Sequence, residues 1–237
     1  MVNYEEALKK PFTDLTKLVV GIVLSIIPIV NWIAKGFILE CSGVGKIKPS
    51  KEMPEWENWG NLLVKGLLSD IIFLIYMIPA ILVFVVGAGL TIMTFMSGFL
   101  GSMMTPELMS QIKTGEVPPA IIGQIISQNW AMALPALMSA APIILLALFL
   151  CVIALYLTPI AVLNYIKTNK FSEAFSLNLI LKKTLTGNYF VVWLVVVIIT
   201  AIAMAILLFI PFLGKAIAVF VSGVIAYTLY GQVYREK

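Results

Sequence analysis

No Asp, Glu, Lys or Arg occurs in residues 18–34, 71–106, 117–166, 184–214 or 216–234, windows that together make up about two-thirds of the 237-residue chain. A helix of about 20 apolar residues crosses the hydrocarbon core, and in lipid only helices and closed barrels satisfy their own backbone polar groups. Charge-free windows of this length therefore predict several helical crossings. Composition agrees: 61% of the residues are hydrophobic and 12% are charged, where a soluble domain has about half and about a quarter. These numbers exclude an ordinary soluble globular domain. They predict an all-α, polytopic helical membrane bundle in which residues 1–237 form a single integral membrane domain.

The same inventory narrows the chemistry. Histidine is absent, so a His-based zinc site or catalytic triad is impossible. Cys41 and Cys151 lie in or beside apolar segments far apart in sequence, too few for a disulfide framework, and are expected to be packing thiols. Met93, Met96, Met103, Met104 and Met109 are irregularly spaced and suit packing or lipid contact better than metal ligation. An intramembrane enzyme needs a paired aspartate, a nucleophile with its base, or a metal cluster, and none can be assembled from these spans. The expectation is no enzymatic activity, no catalytic residue, no metal and no cofactor. The net charge of +4 reflects lysines gathered in loops for topological reasons, so no nucleic-acid partner is implied. Lys9-Lys10 ahead of an apolar run mimics a secretory leader. However, Pro28, Asn31, Trp32 and Lys35 stand where a small-residue cleavage site belongs, so the segment is expected to be a retained first membrane element.

Proline placement sets the expected breaks. In the apolar segment from Leu15 to Val44, Pro28 removes a backbone donor and disfavours helical geometry at Ile27, so two short halves of about 14 residues, about 21 Å each, are expected rather than one span. The second element runs from about Asn61 to Met104, with Pro79, Gly87 and Gly89 as possible kinks, and the pattern does not say whether it is one helix or two. Residues 105–130 read as a polar excursion with a short surface helix at Ala120–Gln128. A third span follows from Ala136 to Ile166, bent at Pro142 and Pro159. The last two, Tyr189–Ile210 and Gly214–Tyr234, are joined by so short a turn that they must be antiparallel neighbours. That makes about five to six membrane elements.

Lysine placement orients them. If residues 15–44 form a hairpin, the lysine-rich segments before residue 18, at 41–65, at 167–183 and at the C-terminus all fall on one side. The positive-inside rule makes that side cytoplasmic, with both termini there and the chain in the cell membrane. Tyr4-Glu5-Glu6-Ala7-Leu8 also resembles Phe171-Ser172-Glu173-Ala174-Phe175, each ahead of an apolar hairpin with an Ile-Pro-apolar turn. This suggests a weak parallel repeat of 4–45 and 171–234, against a background of chance similarity between apolar segments.

The most distinctive stretch is Met53-Pro54-Glu55-Trp56-Glu57-Asn58-Trp59-Gly60-Asn61. Pro54 suits a first helical position and Glu55 and Glu57 a helix N-terminus. Trp56 and Trp59 then share one face of an amphipathic surface helix and act as interfacial anchors, with Gly60 ending it. Together with Gly21-Ile-Val-Leu-Ser-Ile-Ile-Pro-Ile-Val-Asn31 and Gly231-Gln-Val-Tyr234, this stretch is similar to the archaeal and bacterial membrane-protein family catalogued as a domain of unknown function, number 4013. The resemblance covers nearly the whole chain. It implies a helical membrane protein of archaeal type, with no established activity or catalytic residues to carry over. The charge-free run from Gly87 to Met104 and the 105–130 excursion depart from the family's pattern.

Two features remain as candidate sites. Asp70 is the one acidic residue plainly inside a span, about 13 Å into its helix. An ionisable group at that depth is a functional hypothesis by default, with a structural hydrogen bond to a neighbouring helix as the alternative. Lys35 and Glu40 read as snorkelling anchors near the end of the first hairpin. Gly214, Ala218, Ser222 and Ala226, followed by Tyr230, form a ribbon of small residues at every fourth position, with Ala201 and Ala205 as a shorter counterpart on the preceding span. Such ribbons let helix backbones approach closely. Packing within the last hairpin and a homo-oligomer seam both use them. Two functions are compatible with these features: a non-catalytic membrane scaffold or assembly module, or a channel or small-solute permease with a midplane site near Asp70. Expected partners are the lipid bilayer and further copies or other membrane proteins.

Overall fold

Asn3 and Asp14 start the chain's first two helices. Their side chains accept the Glu6 and Lys17 backbone N–H groups, both at 3.0 Å, as N-caps do. A computed structural model describes residues 2–46, 50–103, 110, 119–207, 209–210 and 213–236. Helix α1 is Tyr4–Lys9, followed by a 3-10 turn at Lys10–Phe12, and α2 is Leu15–Ile26. Helix α2 stops where proline predicts: Ile27 is extended at φ −86°, ψ 119°, and Ile29 takes a positive φ of 71°. The Asn31 N–H then donates to the Ile27 carbonyl at 2.9 Å, and α3 runs over Asn31–Glu40. At 12 and 10 residues the two helices are about 18 and 15 Å long, each about half the hydrocarbon thickness. They form a short hairpin.

Among the described residues, four helices are long and apolar enough to cross a membrane: Trp59–Gly101, Leu137–Thr168, Gly187–Leu207 and Leu213–Arg235. The first lies in α4, Trp59–Met103, a single helix of 45 residues with Pro79 inside it. The second lies in α5, Pro119–Thr168, of 50 residues. A 3-10 turn at Phe171–Phe175 and the short α6, Leu177–Thr184, lead to α7, Gly187–Leu207, and α8, Leu213–Arg235. All elements among the described residues are helical, which makes this an all-α protein of membrane type.

Three expectations change. The separate surface helix at Ala120–Gln128 does not exist, because residues 119–168 are one uninterrupted helix. The expectation set that helix apart from the span beginning at Ala136, but polar residue types between the two are compatible with helix, and Pro135 by itself removes only one backbone donor. The surface helix at Pro54–Gly60 is also absent. Residues 53–58 are non-helical and α4 begins at Trp59, since so short a segment is too small to repay helix nucleation when tertiary contacts hold it otherwise. Lastly, the counterpart at Ala201 and Ala205 is exposed. The buried face of α7 is instead Tyr189, Val192 and Val196. Residues Met104, Met109, Pro118, Pro211 and Phe212 lie outside the described residues.

The chain divides into two units, one of residues up to 76 together with those from 155 onward, the other of residues 77–154. At the centre of the first is α8, two-thirds buried along its apolar window where α7 is 11% buried. Glycines bring its neighbours close. A Cβ on Gly21 of α2 would sit 2.0 Å from the Phe220 ring, and one on Gly231 would sit 2.1 Å from the Ser42 carbonyl. In the second unit Ala80, Ala140, Ala147 and Ala154 are buried and Gly87 packs on Ile143. Large apolar side chains such as Leu82, Val85, Leu145 and Phe149 face outward. Small residues inside and large apolar ones outside is the arrangement expected where lipid is the solvent.

Candidate functional site

Asp70 is the twelfth residue of α4, about 16 Å along it from Trp59 at 1.5 Å per residue. Both of its oxygens are engaged by α3. The Lys35 ammonium pairs with Oδ1, and the Trp32 indole Nε1–H donates to Oδ2 at 2.9 Å. About 7 Å nearer the start of α4, five residues back, Lys65 Nζ meets Glu40 Oε1 at 2.5 Å, and Lys46 reaches the other Glu40 oxygen at 3.4 Å. Numbering rises on α3 as it falls on α4, so the helices are antiparallel with an ion pair at two levels. Lys35 and Glu40, expected as snorkelling anchors, are thus the partners of α4.

Glycine makes this proximity possible. A Cβ on Gly36 would lie 2.0 Å from the Leu62 carbonyl oxygen, and one on Gly66 would lie 1.9 Å from that of Trp32. The two backbones touch, and the side chains of Lys35 and Asp70 meet on the flank of that contact, 35% and 38% exposed. A carboxylate bound on both oxygens by one neighbouring helix is suited to fixing that helix in register. Among the described residues, no group of three or more His, Cys, Asp or Glu comes together as a metal site would need.

The tryptophans serve the same corner. The Trp56 ring stacks on Phe37 of α3 with centroids 3.8 Å apart, and its indole nitrogen is buried without a hydrogen-bond partner among the described residues. Trp59 is 45% exposed and donates from Nε1 to the Trp56 carbonyl at 3.0 Å. Lys17 holds the segment from the other side through Glu55 at 2.7 Å. The ribbon of Gly214, Ala218, Ser222 and Ala226 is buried within the chain. A Cβ on Gly214 would sit 1.7 Å from the Leu207 carbonyl.

Two lysines of structural weight escape a reading by segment. Lys10 is 3% exposed and donates to the carbonyls of Cys41 and Ser50, both at 2.9 Å. Lys183 donates to the Tyr234 carbonyl at 2.5 Å, its ammonium 4.5 Å from the Tyr234 ring centre. Each thus satisfies a carbonyl at the end of a helix, α3 or α8, where the helix leaves acceptors unpaired and its dipole is negative. Arg235 adds a bond to the Ser42 carbonyl at 2.6 Å. The signal was in the sequence as a Lys-Lys-x-x-Thr motif, at 9–13 and again at 182–186. Burial pushes the Lys10 ammonium below the usual lysine range and the Cys41 thiol up to about 12, which suits an inert packing thiol.

With this geometry in hand, comparison with known proteins gives one result. A family model described as "Protein of unknown function (DUF4013)" matches residues 20–212. No curated protein and no solved structure matches the chain.

Proposed function

The chain belongs to this family of unknown function, and from that premise we propose that it is a non-catalytic membrane scaffold or assembly module. The observation that carries the reading is the engagement of both Asp70 oxygens by Lys35 and Trp32 within the α3–α4 pair. A coupling carboxylate in a transporter must exchange partners during the cycle, whereas here the acid is committed to the chain's own hairpin beside a backbone contact that leaves little room for sliding. The lysine-rich segments support a cell-membrane protein with both termini cytoplasmic, and the archaeal type rests on the family resemblance alone. Its partners are then lipid and other membrane proteins, including further copies of itself. No cofactor and no reaction are assigned.

Exposure of about a third for Lys35 and Asp70 favours the alternative, a channel or small-solute permease that wets this pair. Flux separates the two. Purified protein in vesicles is expected to pass ions and small solutes no faster than protein-free vesicles. Passage well above that background, altered by Asp70→Asn in a protein that still folds, contradicts the scaffold reading.

A further inference from the structure

The second Lys-Lys-x-x-Thr motif borders a cavity of about 480 Å³ formed by three elements of one unit. Lys182 and Lys183 come from the end of α6, Thr186 and Asn188 from the start of α7, and Glu236 from just beyond α8. Leu179 and Val233 supply an apolar wall. The cavity lies at the edge of a membrane span, since α7 is almost wholly apolar from Tyr189 onward.

Its charge balance favours an anion. Lys183 binds a carbonyl and an aromatic ring rather than an acid, and Lys167 stands 5.7 Å from the centre of the same ring. Burial and then repulsion from Lys167 and Lys182 lower the Lys183 pKa. The positive end of the 21-residue helix α7 opens beside them. The acid facing the cavity, Glu236, has its carboxylate turned to the Asn188 amide, which donates at 3.1 Å.

The first copy of the motif shows what these groups do when covered. There the Thr13 hydroxyl donates to the Lys10 carbonyl at 2.8 Å, as Thr186 does to Lys183 at 3.0 Å. In that copy a loop packs over the motif: Lys10 reaches the Ser50 carbonyl, and the Met53 N–H donates to the Thr13 hydroxyl at 3.4 Å. In the second copy no separate loop supplies these bonds: Lys183 reaches the Tyr234 carbonyl and the Tyr189 N–H of α7 itself donates to the Thr186 hydroxyl at 3.4 Å, and both Lys183 and Thr186 border the cavity. We infer that this cavity is a phosphate-binding site, with Lys182 and the start of α7 facing the phosphate and Leu179 and Val233 facing whatever carries it. At the end of a membrane span the nearest source is the headgroup of an anionic phospholipid, and the other is phosphate free in solution. The inference uses the membrane character of the chain but not the scaffold reading, and flux experiments do not bear on it.

The test uses full-length protein in phosphatidylcholine nanodiscs with and without phosphatidylglycerol, reading retained lipid by native mass spectrometry and melting temperature by scanning fluorimetry. One lysine near a membrane surface contributes about 1 kcal/mol, which is about fivefold in affinity. Lys182→Gln should therefore weaken phosphatidylglycerol retention about fivefold without shifting the melt in pure phosphatidylcholine. Lys51→Gln, the same charge change at another exposed lysine, should leave retention within twofold. Inorganic phosphate separates the sources: stabilisation by millimolar phosphate in pure phosphatidylcholine, lost in Lys182→Gln, assigns the site to free phosphate, and its absence assigns it to the lipid. Equal losses in Lys182→Gln and Lys51→Gln, or no response of the wild type to either probe, overturns the inference.

Discussion

Adding one methyl group at Gly36 tests the contact that brings α3 to α4. The new Cβ would lie 2.0 Å from the Leu62 carbonyl oxygen, and the two next-nearest atoms, at 2.6 and 2.8 Å, also belong to the Leu62 backbone. No rotamer change relieves a clash with backbone, so the helices must separate by more than 1 Å to reach an ordinary contact near 3.4 Å. That separation loosens both ion-paired levels. Overpacking of this kind costs about 1–3 kcal/mol, offset by up to about 1 kcal/mol from the better helix propensity of alanine. A net loss of about 1–2 kcal/mol is expected, lowering the melting temperature by about 2–8 °C for a chain of this size. Gly89→Ala is the matched control, because a Cβ there meets nothing within 4 Å, and it should be neutral or slightly stabilising. A thiol-reactive dye in detergent reads the transition through Cys41, which is 1% exposed. A Cys151→Ala background removes the half-buried second thiol, and a fixed scan rate makes variants comparable if unfolding is irreversible. A Gly36→Ala protein that melts with the wild type, or a Gly89→Ala protein that loses as much, refutes the reasoning.

Lys10→Met removes the Lys10 donor from the buried Cys41 carbonyl, which keeps only a long 3.5 Å bond from the Thr228 hydroxyl, and from the Ser50 carbonyl, and should cost about 2 kcal/mol in thermal or denaturant unfolding. Because burial lowers the Lys10 pKa in the fold, the unfolded chain holds more protons between that lowered value and the ordinary lysine pKa. Wild-type stability should therefore rise with pH across this interval relative to Lys10→Met, and a constant difference between the two proteins would count against it. In single-tryptophan variants, lipid-borne quenchers should reach Trp59, which is 45% exposed, while Trp56, stacked on Phe37, stays protected. Equal quenching of both would return Trp56 to the role of a lipid anchor.

Much of the fold was legible because lipid imposes simple rules. A charge-free run of 20 residues has few alternatives to a helix, and the break at Ile27–Pro28 follows from a ring that forbids one backbone geometry. Asp70 stood out for the same reason, being an acid where acids are expensive. What sequence could not supply was its partner. Lys35 is 35 residues away, and the antiparallel register that joins them is set by glycine contacts on two different helices. Polarity misled at 119–136, since polar residue types do not by themselves end a helix, and the backbone runs through unbroken. Spacing misled at Trp56 and Trp59. A three-residue interval matches a helical face, but stacking on Phe37 and the Lys17–Glu55 pair hold Trp56 in a non-helical segment instead. Ala201 and Ala205 show that small residues permit a close approach without saying which face makes it.

The central claim is that Asp70 locks α3 onto α4, and a charge-reversal cycle measures it most directly. Each of Asp70→Lys and Lys35→Asp places like charges together and should lower the melting temperature by about 2–4 °C, allowing about 1 kcal/mol for a pair whose side chains are each about one-third exposed. The double variant, Lys35→Asp with Asp70→Lys, restores opposite charges and should recover most of that loss as a favourable coupling energy. Single variants that melt as the wild type does, or a double variant whose loss is the sum of the two, would contradict the account.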